Sequence, residues 1–250
     1  MTFPADAKPR ARAGGIVVAA AVLLGLPTAS GAGEHRAHPG FSLGGTTGLV
    51  NTPTADVLPD RALRFGFVLV DREWAYAGRG VTDNEIWFLS MGFLPRLEVS
   101  VRATVLPEIP LLEGREAPAV DRVASARFSL LDEGRWWPAL AVGVDDVRGT
   151  RLFHSLYLVG TRSHRVTRGL ELGLSAGFGS TALTARRHVL DGPFGGLEVR
   201  LGDRVSVVLD ADTEKVNSGF RLTLFDRVSL HLALLHLDTV SGGVGWTGSL

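Results

Sequence analysis

Apolar and polar residues alternate along several segments of the chain with a period of two. Between Leu170 and Phe178 every second residue is apolar, and the intervening residues are polar or small. The same pattern recurs between Val228 and Leu234. Because side chains on a strand point alternately to opposite faces of a sheet, this pattern predicts a sheet with one apolar and one polar face.

Extended to the rest of the chain, the alternation predicts about twelve strands. They lie near 61–70, 86–93, 96–105, 122–131, 138–146, 152–162, 169–178, 194–201, 204–213, 217–225, 227–236 and 242–250. The first, third and seventh connections are long, whereas the second, eighth and tenth are very short. Outer-membrane barrels alternate short periplasmic turns with longer outer loops. We therefore predict an all-β fold, an antiparallel up-and-down transmembrane β-barrel over 61–250.

The start of the chain has the order of a secretory signal peptide. Basic residues at 8–12 precede an apolar stretch at 16–26, which is short for a membrane-spanning helix, and small residues follow. We predict a signal peptide over 1–32 with cleavage after Ala32; the alternative is an uncleaved anchor helix. Residues 33–60 are rich in Gly, Thr and Pro and show neither a helical nor a strand periodicity. This predicts an irregular N-terminal segment.

Composition narrows the possible functions. The chain has no cysteine, so disulfides, thiol chemistry and lipoprotein acylation are excluded. It carries 26 basic and 26 acidic residues, a balance that gives no reason to expect a nucleic-acid partner. No second long apolar run follows the signal region, so a membrane location of the mature chain requires a closed barrel.

Charged residues within the predicted strands lie on the polar face. A charge on the lipid face costs about 2–4 kcal/mol at the bilayer midplane, so these residues are predicted to line the lumen. Their mixed signs predict ion pairs across the lumen instead of a wide pore. The predicted lumen-lining residues are Arg102, Arg127, Glu171, Glu198, Arg200, Asp210, Asp212 and Arg221.

The sequence offers little catalytic chemistry. Asp210 and Asp212 resemble the acidic pair with which sugar transferases hold a metal-bound nucleotide, but the βαβ units and phosphate loop of a nucleotide fold are missing, which favours lumen-lining carboxylates. His35 and His38 lack a third ligand, and no nucleophile elbow occurs. We predict no enzyme activity, metal or cofactor. The five tryptophans could stack on sugar rings, but an interfacial aromatic belt is favoured.

Three stretches together resemble one family. Residues 45–55 resemble the N-terminal motif of the YjbH-like exopolysaccharide-associated outer-membrane proteins, residues 138–159 resemble their central strand pair, and residues 191–198 resemble a further motif. The resemblance implies an outer-membrane barrel in exopolysaccharide production, assembly or export, and it supplies no catalytic residue. The matched residues, interpreted as shaping the barrel, are Pro53, Thr54, Asp145, Gly149, Asp191, Gly192 and Glu198.

We therefore expect a passive conduit or scaffold in the outer membrane. Its expected partners are outer-membrane lipid, an exopolysaccharide and other secretion proteins. Two alternatives remain open: a general porin-like or structural barrel, and a soluble periplasmic sugar-binding β-protein.

Overall fold

The computed structural model describes residues 39–71, 83–110, 116–149, 154–180, 190–213 and 215–250. The predicted signal peptide lies outside the described residues. Within the described ranges no helix is long and apolar enough to cross a membrane.

Twelve strands form one sheet that closes on itself. Each strand pairs antiparallel with its neighbour in the chain, and β1 also pairs with β12, so the predicted all-β barrel is confirmed. The strands are β1 Ala62–Val70, β2 Asn84–Gly92, β3 Leu97–Pro110, β4 Glu116–Leu131, β5 Ala139–Gly149, β6 Ser155–Thr167, β7 Leu170–Ser180, β8 Gly192–Leu201, β9 Val205–Ala211, β10 Val216–Leu224, β11 Val228–Leu235 and β12 Thr239–Ser249.

The alternation in the sequence corresponds to the two faces of the barrel wall. On β11, Leu232 is 57% exposed whereas the adjacent His231 is buried, and on β7 Phe178 is exposed whereas Ser175 is buried. The outer face is therefore apolar over most strands. An apolar outer face is compatible with a lipid environment. The closed sheet also leaves no strand edge with unpaired backbone groups in the membrane.

The two ends of the barrel differ. We call the end with connections 93–96, 132–138, 168–169, 202–204 and 225–227 the turn end, and the opposite end the loop end. The predicted long third connection over 106–121 is wrong: β3 and β4 keep pairing as far as Pro110 and Glu116, beyond an irregularity between Leu106 and Ile109. The hairpin thus continues as paired backbone where the sequence predicts a loop.

Residues 39–58, which we call the plug, lie inside the barrel. They contain two isolated bridges, Phe41–Thr47 and Gly48–Pro53, and no strand. Their apolar side chains pack with inward-facing apolar residues of the wall, so the hydrophobic core of this barrel forms between plug and wall. The main cluster comprises Phe41, Leu43, Leu49 and Val50 of the plug with Val68, Val70, Ile86, Phe88, Val208, Ala233 and Leu235 of the wall.

Two glycines make room for the plug. Gly45 has φ +87°, and a Cβ there would lie 2.3 Å from the Phe88 ring. Gly196 on β8 faces inward, where a Cβ would lie 2.5 Å from a methyl group of Leu49. Larger residues at these positions would collide with the core between plug and wall, because packed interiors leave no spare space.

Candidate functional site

Charged side chains of the wall bind the plug inside the lumen. One of them is Glu98. It lies near the turn end of β3 and is only 2% exposed. One carboxylate oxygen accepts a hydrogen bond from the Thr47 amide at 2.8 Å, and the other accepts one from the Leu58 amide at 2.9 Å. A single carboxylate therefore joins the middle of the plug to its end. Hydrogen bonds to a charged acceptor are stronger than neutral ones.

Asp210 on β9 holds the plug near the loop end. Its Oδ2 accepts hydrogen bonds from the amides of Asn51 and Thr52 at 2.6 and 2.8 Å, and from the Thr52 hydroxyl at 3.1 Å. Its Oδ1 accepts one from the Asn217 side-chain amide at 3.0 Å. Asp212 accepts one from the Asn51 side chain at 2.7 Å. The acidic pair thus binds plug backbone and amide groups.

Arg221 on β10 crosses the lumen to three carbonyl oxygens of the plug. Its Nη2 donates to the carbonyls of Phe41, Gly48 and Leu49 at 3.2, 2.5 and 2.6 Å. Its Nη1 lies 3.2 Å from Glu198, and both side chains are nearly inaccessible to solvent. A buried charge is tolerated when it is paired and hydrogen-bonded, which is the case here.

Glu198 continues this ion pair into a short network along the wall. It accepts a hydrogen bond from Arg200 at 2.7 Å, and Arg200 also pairs with Glu171 on β7 at 2.8 Å. Charges of opposite sign therefore alternate from Glu171 on β7 through Arg200 and Glu198 on β8 to Arg221 on β10, across the intervening β9.

Arg127 and Arg64 bind the other side of the plug. Arg127 donates to the carbonyls of Thr47 and Asp56, the latter at 3.1 Å, and to the Tyr157 hydroxyl at 3.0 Å. Arg64 donates to the carbonyl of Pro39. Both side chains are buried, and Arg64 also donates to the Thr247 hydroxyl on β12 at 3.1 Å.

Between the plug and strands β3 to β6 remains a partly enclosed cavity of about 50 Å³ with both polar and apolar walls. Arg102 and Asp145 line it together with Ser100 and Ser125 on the wall and Asn51 on the plug. The cavity is the size of a few water molecules and is too small for a sugar ring. Within the described ranges, no group of three or more His, Cys, Asp or Glu residues is arranged to hold a metal ion.

The residues matched to the family motif fall at separate structural positions. Pro53 makes the bridge to Gly48 and lines the cavity, and the Thr54 hydroxyl donates to Asp56 at 3.5 Å. Asp145 pairs in register with Ser155, and Gly149 ends β5 opposite Val123. Asp191 is exposed immediately before β8, and Gly192 begins β8 with φ +123°.

The period-two alternation does not predict the apolar residues that face the lumen. Val68, Val70 and Ile86 are completely buried on the inner face. Their signal in the sequence is a loss of alternation, as in the uninterrupted apolar run 67–70. A strand that is apolar on both faces indicates that both faces are covered.

The tryptophans lie away from the lumen contacts described above. Trp87 is exposed on the outer face of β2, Trp136 and Trp137 are exposed in the turn-end connection 132–138, and Trp246 packs against Phe65 with ring centres 5.3 Å apart. Trp74 lies outside the described residues. The turn-end position of Trp136 and Trp137 is compatible with an interfacial belt, whereas Trp87 lies within the apolar wall, five residues from the turn end of β2.

Fold and lumen together define a closed β-barrel with an apolar exterior and an internal plug. The chain belongs to the YjbH family, whose model carries the description "Exopolysaccharide biosynthesis protein YbjH" and matches residues 42–233. The match includes the plug from Ser42 onward and the wall residues that bind it. Among solved structures the chain is similar to a KdgM porin, with 11% identity and a TM-score of 0.45 over 76% of this chain and 99% of that one. No curated protein matches the chain.

Proposed function

We propose that this protein acts in exopolysaccharide production or export as a plugged outer-membrane barrel, and that it works as a scaffold and not as an open conduit. The observation that carries the proposal is the occupancy of the lumen. Plug side chains form a core with the wall, and Glu98, Asp210 and Arg221 bind the plug backbone. A polymer chain would have to displace all of these contacts in order to pass.

An outer-membrane location is supported by the closed sheet and its apolar outer face. The soluble periplasmic alternative would leave large apolar side chains such as Leu232 and Phe178 in water. Contiguous apolar surface of this extent is rare in soluble monomers. Fractionation tests this point: we expect recovery in the outer membrane and a heat-dependent mobility shift on SDS gels, whereas release by osmotic shock would contradict the location.

The function is tested by deletion and complementation in the producing organism. We expect deletion to lower surface polysaccharide and the unaltered chain to restore it. Unchanged polysaccharide after deletion would refute the exopolysaccharide role.

A disulfide bond between plug and wall (a disulfide lock) then distinguishes the scaffold hypothesis from the conduit hypothesis. The Ala55 amide lies 2.7 Å from the Thr161 hydroxyl, so an Ala55→Cys/Thr161→Cys pair would tie the plug to β6. The chain has no other cysteine to compete. The matched control is Thr161→Cys/Ser175→Cys, which joins two registered wall residues and leaves the plug free. A scaffold tolerates both locks, so we expect both to restore polysaccharide. Failure of the plug lock alone would show that the plug must move and that the barrel is a conduit.

A further inference from the structure

The outer face of the barrel carries a groove on strands β1 to β5. Its volume is about 590 Å³ and its surface is almost wholly apolar. Phe65, Trp87, Leu89 and Val101 form its sides, and each of them is between 42% and 54% exposed. The small residues Ala103 and Ala124 also line it. The groove therefore offers a depression for an apolar chain on the surface that faces lipid.

Two arginines stand at this groove, on an outer face that is apolar over most of its surface. Arg122 on β4 and Arg148 on β5 line it, and both are exposed. Among the described residues neither guanidinium has a hydrogen-bond or ion-pair partner. An unpaired arginine on the lipid face is costly near the bilayer midplane and becomes tolerable only towards the interface. Glu85, an outward-facing carboxylate on β2, is not part of the groove lining.

An irregularity in β5 brings the two arginines together. Ala126 pairs with Val144, but Ala124 pairs with Arg148, so two extra residues of β5 are accommodated between these pairs. Asp146, within this bulge, has φ +51° and is fully buried. Arg148 consequently lies diagonally opposite Arg122. The Cα atoms of such diagonal neighbours are typically about 7–8 Å apart. Two like charges at this spacing can both reach one anion.

The height of the arginines on the wall indicates which part of the membrane they meet. Arg122 lies nine residues from Leu131, the turn-end residue of β4. With a rise of about 3.3 Å per residue and a tilt of about 40°, that distance is roughly 23 Å along the barrel axis. The apolar band of such barrels is about 25 Å tall, so with Leu131 taken as its turn-side edge Arg122 lies at its loop-side edge. This placement rests on the outer-membrane location proposed above: loops of such barrels face outward, so the arginines lie at the headgroups of the outer leaflet.

We propose that Arg122, Arg148 and the groove bind a phosphorylated, acylated glycolipid of the outer leaflet, with the chemistry of lipid A. The two guanidinium groups bind one phosphate, and an acyl chain fills the groove beside Trp87. A lipid with both parts satisfies the charges and covers the apolar depression at once. The site lies on the outside of the wall and is separate from the plug and its contacts.

Retention of lipid by the purified full-length barrel tests the site. The barrel in mild detergent is mixed with bis-phosphorylated lipid A, or with phosphatidylglycerol as the second phosphate source, and passed through size exclusion before the bound lipid is quantified by mass spectrometry. We expect the unaltered barrel to retain lipid A in preference to phosphatidylglycerol. Arg122→Gln/Arg148→Gln should lower retention at least about tenfold, since the hydrogen bonds to phosphate are charge-assisted.

Two further variants make the result specific. Arg204→Gln/Arg227→Gln removes the same charge from exposed positions at the turn end, and it should retain lipid A like the unaltered barrel. Ala124→Trp keeps both arginines but fills the groove, and it should also lower retention. Heat-dependent gel mobility confirms that each variant is folded. Equal retention by the arginine variant, equal loss in the turn-end control, or equal retention of phosphatidylglycerol would each overturn the proposal.

Discussion

Replacing Asp210 with alanine should loosen the plug more than any other loss of a single wall carboxylate at the loop end. The carboxylate accepts hydrogen bonds from the amides of Asn51 and Thr52, and it is 1% exposed. Alanine leaves these two buried donors without an acceptor, at about 1–3 kcal/mol each. The loss of about 2–6 kcal/mol raises the equilibrium constant for plug release by at least about 30-fold, because 1.4 kcal/mol corresponds to a factor of ten.

The assay is ion conductance in planar bilayers, combined with amide hydrogen exchange at 51–52. We expect the unaltered barrel to be closed nearly all the time, and Asp210→Ala to show frequent openings and faster exchange. Asp203→Ala is the matched control, because Asp203 is exposed in the turn at the other end of β9. It should behave like the unaltered barrel. Unchanged exchange in Asp210→Ala would refute the reasoning, since the two amides would then be protected by something other than this carboxylate.

Two further predictions concern the plug contacts, and a third concerns the outer face of the wall. Arg221→Met removes the donors to three plug carbonyls and leaves Glu198 without one of its arginines, so openings should exceed those of Arg204→Met, whose side chain is exposed at the turn end. Raising salt from 0.1 to 1 M shortens the screening length from about 10 to 3 Å. Because the plug contacts are buried, exchange at the plug amides should nevertheless stay constant, and faster exchange would contradict their burial. Leu232→Arg should lower the free energy of unfolding from vesicles by about 2–4 kcal/mol in urea titrations, whereas Phe225→Arg in a turn should change it little.

Much of the wall could be predicted from the sequence. The period of two reports which face of a strand is apolar, and it correctly predicts a closed barrel with twelve strands. The alternation does not predict the loop-end part of the β3–β4 hairpin, which contains Pro107 and Pro110; proline is compatible with strand edges and irregularities. Propensity alone does not show whether two strands continue to pair beyond the rest of the sheet.

The plug could not be predicted in the same way. Residues 33–60 show no period, so their position depends on partners that are distant in the chain: the amide of Thr52 meets Asp210 across 158 residues. Alternation places Asp210 and Arg221 on the polar face. A polar face, however, is compatible with a lumen filled with water as well as with a lumen that holds a plug. The apolar residues Val68 and Ile86 interrupt that face, and they provide the physical hint that part of the lumen is dry.

The mixed charge of the inner wall follows from the irregular backbone that it encloses. A plug without strands cannot satisfy its peptide groups by sheet pairing, and buried peptide groups need partners. Short turns such as Ser42 to Thr46 satisfy some of them internally. The wall supplies both acceptors and donors for the remaining peptide groups. Glu98 and Asp210 accept hydrogen bonds from four plug amides. Arg127 and Arg221 donate hydrogen bonds to five plug carbonyls. A wall of one sign, as in an ion-selective pore, would satisfy only one of these two sets. The balance of acids and bases on the inner face is therefore the complement of a peptide chain, and it favours a barrel built to hold its plug.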